Sequence, residues 1–477
     1  MSMPSSPPQP VAFAGSTDHY NLRYIWLISL VAAMGGLLFG YDWVVIGGAK
    51  PFFEPFFRLD NEAARGWANS CALLGCLAGA LFVGALSDLA GRKRLLIVSA
   101  LLFAVSSVLT GWTSTFQGFV IWRMLGGVAI GMASGLSPMY IAEVAPAHLR
   151  GRLVAINQLT IVIGVLAAQV VNWLIARPVP DNATADFIRE SWNAQYGWRW
   201  MFTAVTVPSL LFLVGSLLIP ESPRWLVKNG RADRARDILT RIGGAAYGAK
   251  EVQDIQDTLA NGDIGRVRFT DLLTPRMLKI LWVGVVLAVL QQWSGINVIF
   301  NYAEEIFRAA GYGVSSILFN IVITGVVMLL FTLIAIQTVD RFGRRALMLI
   351  GCAGIALFHT LIGLCYLLHL KGLIVVVPVM ATIACYSFSL APVTWVLISE
   401  IFPNRIRGAA VAVSVSALWI ACFILTYTFP LLNHALGPAM TFWLYAAICA
   451  AGFVFIFMRV PETKGKTLEE IERELVD

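Results

Sequence analysis

Apolar residues come in long runs along this chain, without the alternation of half-buried strands or the narrow stripes of soluble helices. A bilayer core about 30 Å thick needs roughly 20 apolar residues per helical crossing. Runs of that length predict twelve spans, at about 23–47, 66–87, 95–112, 118–141, 152–176 and 200–219, then 278–302, 313–338, 345–368, 371–398, 408–431 and 437–459. Between the sixth and seventh lies a polar stretch, 220–277, that cannot cross a membrane. Within it, Pro223 to Ile242 places apolar residues at helical spacing among many basic ones, which predicts short amphipathic helices. The pattern predicts an all-α polytopic membrane protein: a tail (1–22), a six-helix half (23–219), a helical linker (220–277), a second six-helix half (278–460) and a second tail (461–477).

Composition agrees. Of the 477 residues 58% are hydrophobic and 13% charged, where a soluble domain carries about one-quarter charged residues. Mean hydropathy is +0.74. The net charge of +7 is the surplus expected of cytoplasmic loops and calls for no nucleic-acid partner. The seven cysteines all fall in apolar runs and are odd in number, so no disulfide framework is expected. Residues 1–22 are polar and proline-containing, and no cleaved leader is expected of them. With both termini on one side, 26 of the 35 lysines and arginines fall there and 8 on the other. Without the long linker the bias is still 15 to 8, which predicts cytoplasmic termini in a plasma or inner membrane.

The chain also repeats itself. Gly84-xxx-Asp88-xx-Gly91-Arg92-Lys93-Arg94 is echoed 252 residues later by Asp340-xx-Gly343-Arg344-Arg345. Glu143-xx-Pro146-xx-Leu149-Arg150-Gly151 returns after 257 residues as Glu400-xx-Pro403-xx-Ile406-Arg407-Gly408. Pro220-Glu221-Ser222 returns after 241 residues as Pro461-Glu462-Thr463. Each pair takes the same place in its half, as in a transporter built from parallel repeats with its substrate site between them. With Pro220–Leu226 and Pro461–Gly465, these motifs resemble the sugar porter family of the major facilitator superfamily, and within it the bacterial sugar–proton symporters of the xylose type. The resemblance runs from Gly35 to about Glu470.

The charged motifs place opposite charges at neighbouring helix ends. Asp88, Arg92, Glu143 and Arg150, with Asp340, Arg344, Glu400 and Arg407, are expected to form an ion-pair network across the halves that makes and breaks as a gate. The resemblance implies the same role. Ile336 stands where the second motif would have its leading glycine, so a looser turn is expected there.

A sugar site needs amides for hydroxyl pairs and an aromatic plane for the ring. Span seven supplies Gln291, Gln292, Asn297 and Asn301, but Gln292 and Asn297 lie about 140° apart on an unbroken helix. A bend at Ser294-Gly295 would aim both into one cavity, and Asn297, Asn301 and Glu304 would then share a face. The resemblance implies Gln291, Gln292 and Asn297 as sugar ligands and adds Gln158 and Trp395. This chain departs from the xylose-type pattern at Val165, Met328 and Leu418, at Leu390 in place of an aromatic residue, and at Asn301 in place of a tyrosine. A monosaccharide, hexose or pentose, is the expected substrate.

Asp42 is the only acid in span one, and an ionisable group at that depth is expensive. Arg123 in span four is its expected partner, a pairing that the resemblance also implies. A carboxyl that meets and leaves an arginine can take up and release a proton, so proton symport is expected. Passive facilitation is the alternative, with a transporter-like sensor behind it. Only about 17 residues follow Val460, which is short for a signalling tail. A nucleotide-driven pump is disfavoured because Val460 stands where a phosphate loop before Gly465-Lys466-Thr467 needs glycine. An enzyme is disfavoured because the five histidines are scattered. No cofactor or metal is expected, and a monomer suffices.

Overall fold

The computed structural model describes residues 20–180, 183–260, 274–402 and 407–464. Five long helices come first: α1 (Leu22–Phe57), α2 (Glu62–Ala90), α3 (Arg92–Trp112), α4 (Phe116–Val144) and α5 (Ala147–Ile175). After α6 (Ala185–Glu190) a π-helical turn at Asn193–Gly197 leads into α7 (Trp198–Thr203) and α8 (Thr206–Leu218). The linker forms α9 (Pro223–Lys228) and α10 (Ala232–Ala260), the latter kinked at Gly243 and Gly244. Then come α11 (Pro275–Trp293), α12 (Ile296–Asn301), α13 (Ala303–Ala309), α14 (Val314–Phe342), α15 (Arg344–Leu367), α16 (Leu373–Phe388), α17 (Leu390–Glu400) and α18 (Arg407–Arg459).

Eleven described helical segments are long and apolar enough to cross a membrane. The last of them, Gly408–Arg459, is 52 residues long and is bent at Gly437, where φ is 78°. A segment of that length holds two crossings, which makes twelve. Most of the predicted tails and part of the linker lie outside the described residues.

Small residues let the helices of the first half meet backbone to backbone. A Cβ on Gly127 of α4 would overlap the Ala72 carbonyl of α2, and one on Gly75 of α2 would overlap the Met124 carbonyl of α4. Gly40 of α1 and Gly164 of α5 meet the Ile161 and Leu37 carbonyls in the same reciprocal way. Inside a membrane such contact supplies the dispersion that holds helices together.

The two halves touch through α2 against α18, α5 against α14, and α1 against α12 and α13. These contacts run from mid-helix to the end remote from the termini. Trp43 and Trp419 lie 5.8 Å apart between ring centres, and Gln169 donates to Thr324 Oγ1 at 3.1 Å. Further out, Gly66 packs on the Tyr427 carbonyl and the Val179 amide donates to Ser315 Oγ at 3.0 Å. The remote end is sealed. Near the terminal end, a Cβ on Gly151 or Gly408 would meet open space.

Candidate functional site

The expected bend in span seven is present. Gly295 has φ +84°, a conformation that other residues rarely adopt, and it separates α11 from α12. His359 Nε2 of α15 lies 2.8 Å from the Ser294 carbonyl, where the break frees backbone acceptors. Around this point the structure gathers the predicted amides. Asn297 Nδ2 donates to Gln292 Oε1, and Gln292 Nε2 donates to Gln291 Oε1 at 3.2 Å. Gln291 Nε2 in turn donates to the Leu390 and Ala391 carbonyls at 3.2 and 3.3 Å. Those carbonyls open α17, after a second break at Ser389 (φ −127°, ψ −84°). All three amides are nearly buried, at 2%, 6% and 6% exposure, so they are already desolvated and ordered before any ligand arrives.

Gln158 is half-buried on α5. It lies about 20° round the helix from Gln169, whose side chain reaches the second half, so Gln158 shares the face that looks across the interface. Trp395 of α17 is 36% exposed. Val165, Met328, Leu418 and Leu390 are all buried apolar groups. The expected shared face of Asn297, Asn301 and Glu304 does not persist, because a further break at Tyr302 (φ −122°, ψ 28°) separates α12 from α13. Glu304 instead pairs with Arg308 at 2.5 Å.

Asp42 and Arg123 do meet. Arg123 Nη1 lies 3.0 Å from Asp42 Oδ1, with the two residues 3% and 4% exposed. The guanidinium also lies 5.3 Å from the centre of the Phe202 ring. Asp42 Oδ2 and Arg123 Nε have no hydrogen-bond partner among the described residues. A water-sized void beside the pair is lined by Trp43, Asn69, Cys76, Arg123, Ile130 and Asn301. The Oδ1 atoms of Asn69 and Asn301 are likewise buried without a partner among the described residues.

At the terminal end the charged motifs form two clusters of the same design. Arg92 grips Glu143 with two bonds of 3.0 Å and reaches Asp88 at 3.1 Å. Ser222 Oγ donates to Glu143 at 2.5 Å, and Lys228 pairs with Asp88 at 2.9 Å. In the second half Arg344 meets Glu400 at 3.4 Å, and Thr463 Oγ1 donates to Glu400 at 2.7 Å. In this conformation these members do not make the expected network across the halves. Arg92–Glu143 and Arg344–Glu400 each close within one half, since their helices belong to the same bundle. Arg150 is exposed and lies within electrostatic reach of Glu251 on α10. The side chains of Asp340 and Arg407 lie outside the described residues.

Two acids that the site prediction omitted complete these clusters. α3 and α15 begin at Gly91 and Gly343 with no side-chain cap of their own. Glu221 takes the Arg92 and Lys93 amides at 2.8 and 3.0 Å, and Glu462 takes those of Arg344 and Arg345 at 2.9 and 3.1 Å. Each neutralises the positive end of a helix dipole from outside the helix. Their recurrence in the Pro-Glu-Ser/Thr repeat was the available signal.

The family model described as Sugar (and other) transporter matches residues 28–475. The D-xylose-proton symporter of Escherichia coli (strain K12) is 38% identical over 484 residues, covering 95% of this chain and 96% of that protein. The arabinose-proton symporter of Bacillus subtilis (strain 168) is 37% identical over 458 residues, 96% of each chain. The solved structure of the E. coli xylose transporter XylE in a partially occluded inward-open conformation matches with a TM-score of 0.82 at 36% identity. It covers 93% of this chain and 100% of that one.

Proposed function

This chain belongs to the sugar transporter family of the major facilitator superfamily, and on that premise we propose that it carries a monosaccharide into the cell together with a proton, by alternating access. The relatives named for xylose and arabinose are proton symporters, which supports both halves of the reading. One observation carries it: Asn301, one turn beyond Asn297 on α12, lines the same void as Arg123 of the buried ion pair. The helix that carries Asn297 and the arginine that pairs with Asp42 thus border one water-sized space, so a shift of α12 can reach the ion pair through Arg123.

In this reading Gln291, Gln292 and Asn297 hold hydroxyl pairs, Gln158 approaches from the facing helix, and Trp395 offers its ring face. Asp42 binds the proton when Arg123 is drawn away and releases it when the pair re-forms. The motifs at the terminal end (Asp88, Arg92, Glu143 and Arg150, with Asp340, Arg344, Glu400 and Arg407) act as the inner gate. Cytoplasmic termini follow from the Lys/Arg bias, which makes the sealed remote end the outside and this conformation inward-facing. The carrier works as a monomer in the bilayer, with the gate and both sites inside one chain.

The test is uptake of labelled monosaccharides into proteoliposomes with an imposed pH gradient. Accumulation above the external concentration that collapses with a protonophore is expected. Uptake that only equilibrates would sink symport, and no uptake of any sugar would sink the whole reading.

A further inference from the structure

At the sealed end α1 does not stop where its apolar run ends. It continues through Pro51 and Pro55 to Phe57 and carries Lys50 completely inside the protein, with no exposed surface. Lys50 forms an ion pair with Glu305 of α13, across the boundary between the halves. Its ammonium also lies 4.7 Å from the centre of the Tyr302 ring, at the break between α12 and α13. On its own helix, one turn on, stands Glu54 at 3.7 Å.

We propose that Lys50 is the catch of the outer gate: it holds α13 against α1 through Glu305 and Tyr302 while that end is shut, and turns to Glu54 when α13 swings away.

A buried cation that loses its only counter-ion is strongly destabilised. Glu54 removes that obstacle, because it sits on α1 and travels with Lys50. Arg65 of α2, 3.7 Å from Glu54, travels with the same half. On the departing side Glu304 keeps Arg308 at 2.5 Å, and Glu305 is already one-third exposed, so water takes over its charge. Of these ion pairs, the ones within a single half survive opening and Lys50–Glu305 is the one that must break. The breaks at Gly295 and Tyr302 let α13 move without dragging α11 and its amides. Glu54, Glu304 and Glu305 line a cavity of about 440 Å³, which holds room for the water that takes over these charges.

This inference rests on the alternating-access reading, and its test uses neither sugar nor a proton gradient, so the two can fail separately. Hydrogen–deuterium exchange of the whole protein in nanodiscs would compare 43–57 and 296–312 at the outer end with 84–94 and 143–152 at the inner end. Lys50→Met and Glu305→Gln are each expected to exchange several-fold faster at the outer end and more slowly at the inner end. The charge-swapped Lys50→Glu/Glu305→Lys protein is expected to return towards the parent pattern. Glu54→Gln should have the opposite sign, since it removes only the partner used in the open state. Outer-end exchange unchanged in Glu305→Gln, acceleration at both ends alike, or failure of the swapped pair to restore the pattern would each overturn the proposal.

Discussion

Helix α1 carries two buried charges, Asp42 and Lys50, only two turns apart, and they are built for different work. Asp42 pairs with Arg123 of α4, inside one half; Lys50 pairs with Glu305 of α13, across the boundary. Burial does not distinguish them, since Asp42, Arg123 and Lys50 are all under 5% exposed. The difference is whether the two partners move together. A pair inside one half is not parted by the movement of the halves themselves, so in the proposed cycle a local shift of Arg123 is enough to tip Asp42 between charged and protonated. A pair across the halves has no such freedom, because it must be made and broken whenever the carrier turns.

The largest effect should come from breaking the inner pair alone. Asp42→Asn keeps the shape but removes the titratable group. Accumulation driven by a pH gradient should fall to the equilibrium level while sugar–sugar exchange and the Lys50–Glu305 contact survive. Proteoliposome uptake and outer-end hydrogen exchange measure the two sides, and persistent accumulation would make Asp42 a structural residue.

Next in size is the sugar's hold on the broken helix that links the two pairs. Gln292→Ala or Asn297→Ala removes a buried amide, which should cost about 1–3 kcal/mol, or roughly five- to 150-fold in affinity. Equilibrium binding checks this, and the same variants should lose any sugar-induced change in exchange at 296–312. Wild-type affinity in both would remove the amides from the site.

A third comparison sets the two inner clusters against each other. Glu143 receives two bonds from Arg92 and one from Ser222, whereas Glu400 receives one from Thr463, meets Arg344 at 3.4 Å and is more exposed. Glu143→Gln should therefore lower stability by about 1.5–3 kcal/mol, and Glu400→Gln by less than about 1 kcal/mol. Thermal unfolding in detergent would show it as a larger fall in midpoint for Glu143. The reverse order would mean that the second cluster carries the load.

The smallest effect is one of preference. Leu418 is buried and offers no hydrogen bond to a hydroxyl aimed at it. Leu418→Gln should reorder a panel of competing sugars with little change in maximal uptake. An unchanged order would mean that this side chain does not face the substrate.

Much of this was legible in the chain. Runs of about 20 apolar residues mark crossings wherever water is excluded, and glycine after serine in an apolar run marks a bend. Lys50 was not legible, because a lysine just past an apolar run reads as a loop residue. The helix runs on past two prolines, and Gly47 lets it close against the Phe300 carbonyl, which folds Lys50 inward. Glu304 was misplaced for the opposite reason: Tyr302 interrupts a helix that nothing in the local sequence announces. The pairing within each half at the inner end was hidden too, since charge patterns name candidates and only packing chooses among them.

The capping of α3 by Glu221 has a consequence for how the protein is made. The acid is 129 residues downstream of the amide it satisfies, and Glu462 follows Arg344 by 118. A ribosome delivers the chain from its N-terminus, so α3 enters the membrane before its cap exists and waits for three more crossings. The first residues to emerge after each half are the ones that fasten an early helix. Each half therefore latches shut only when it is complete, and the first can do so as soon as the start of the linker has been translated.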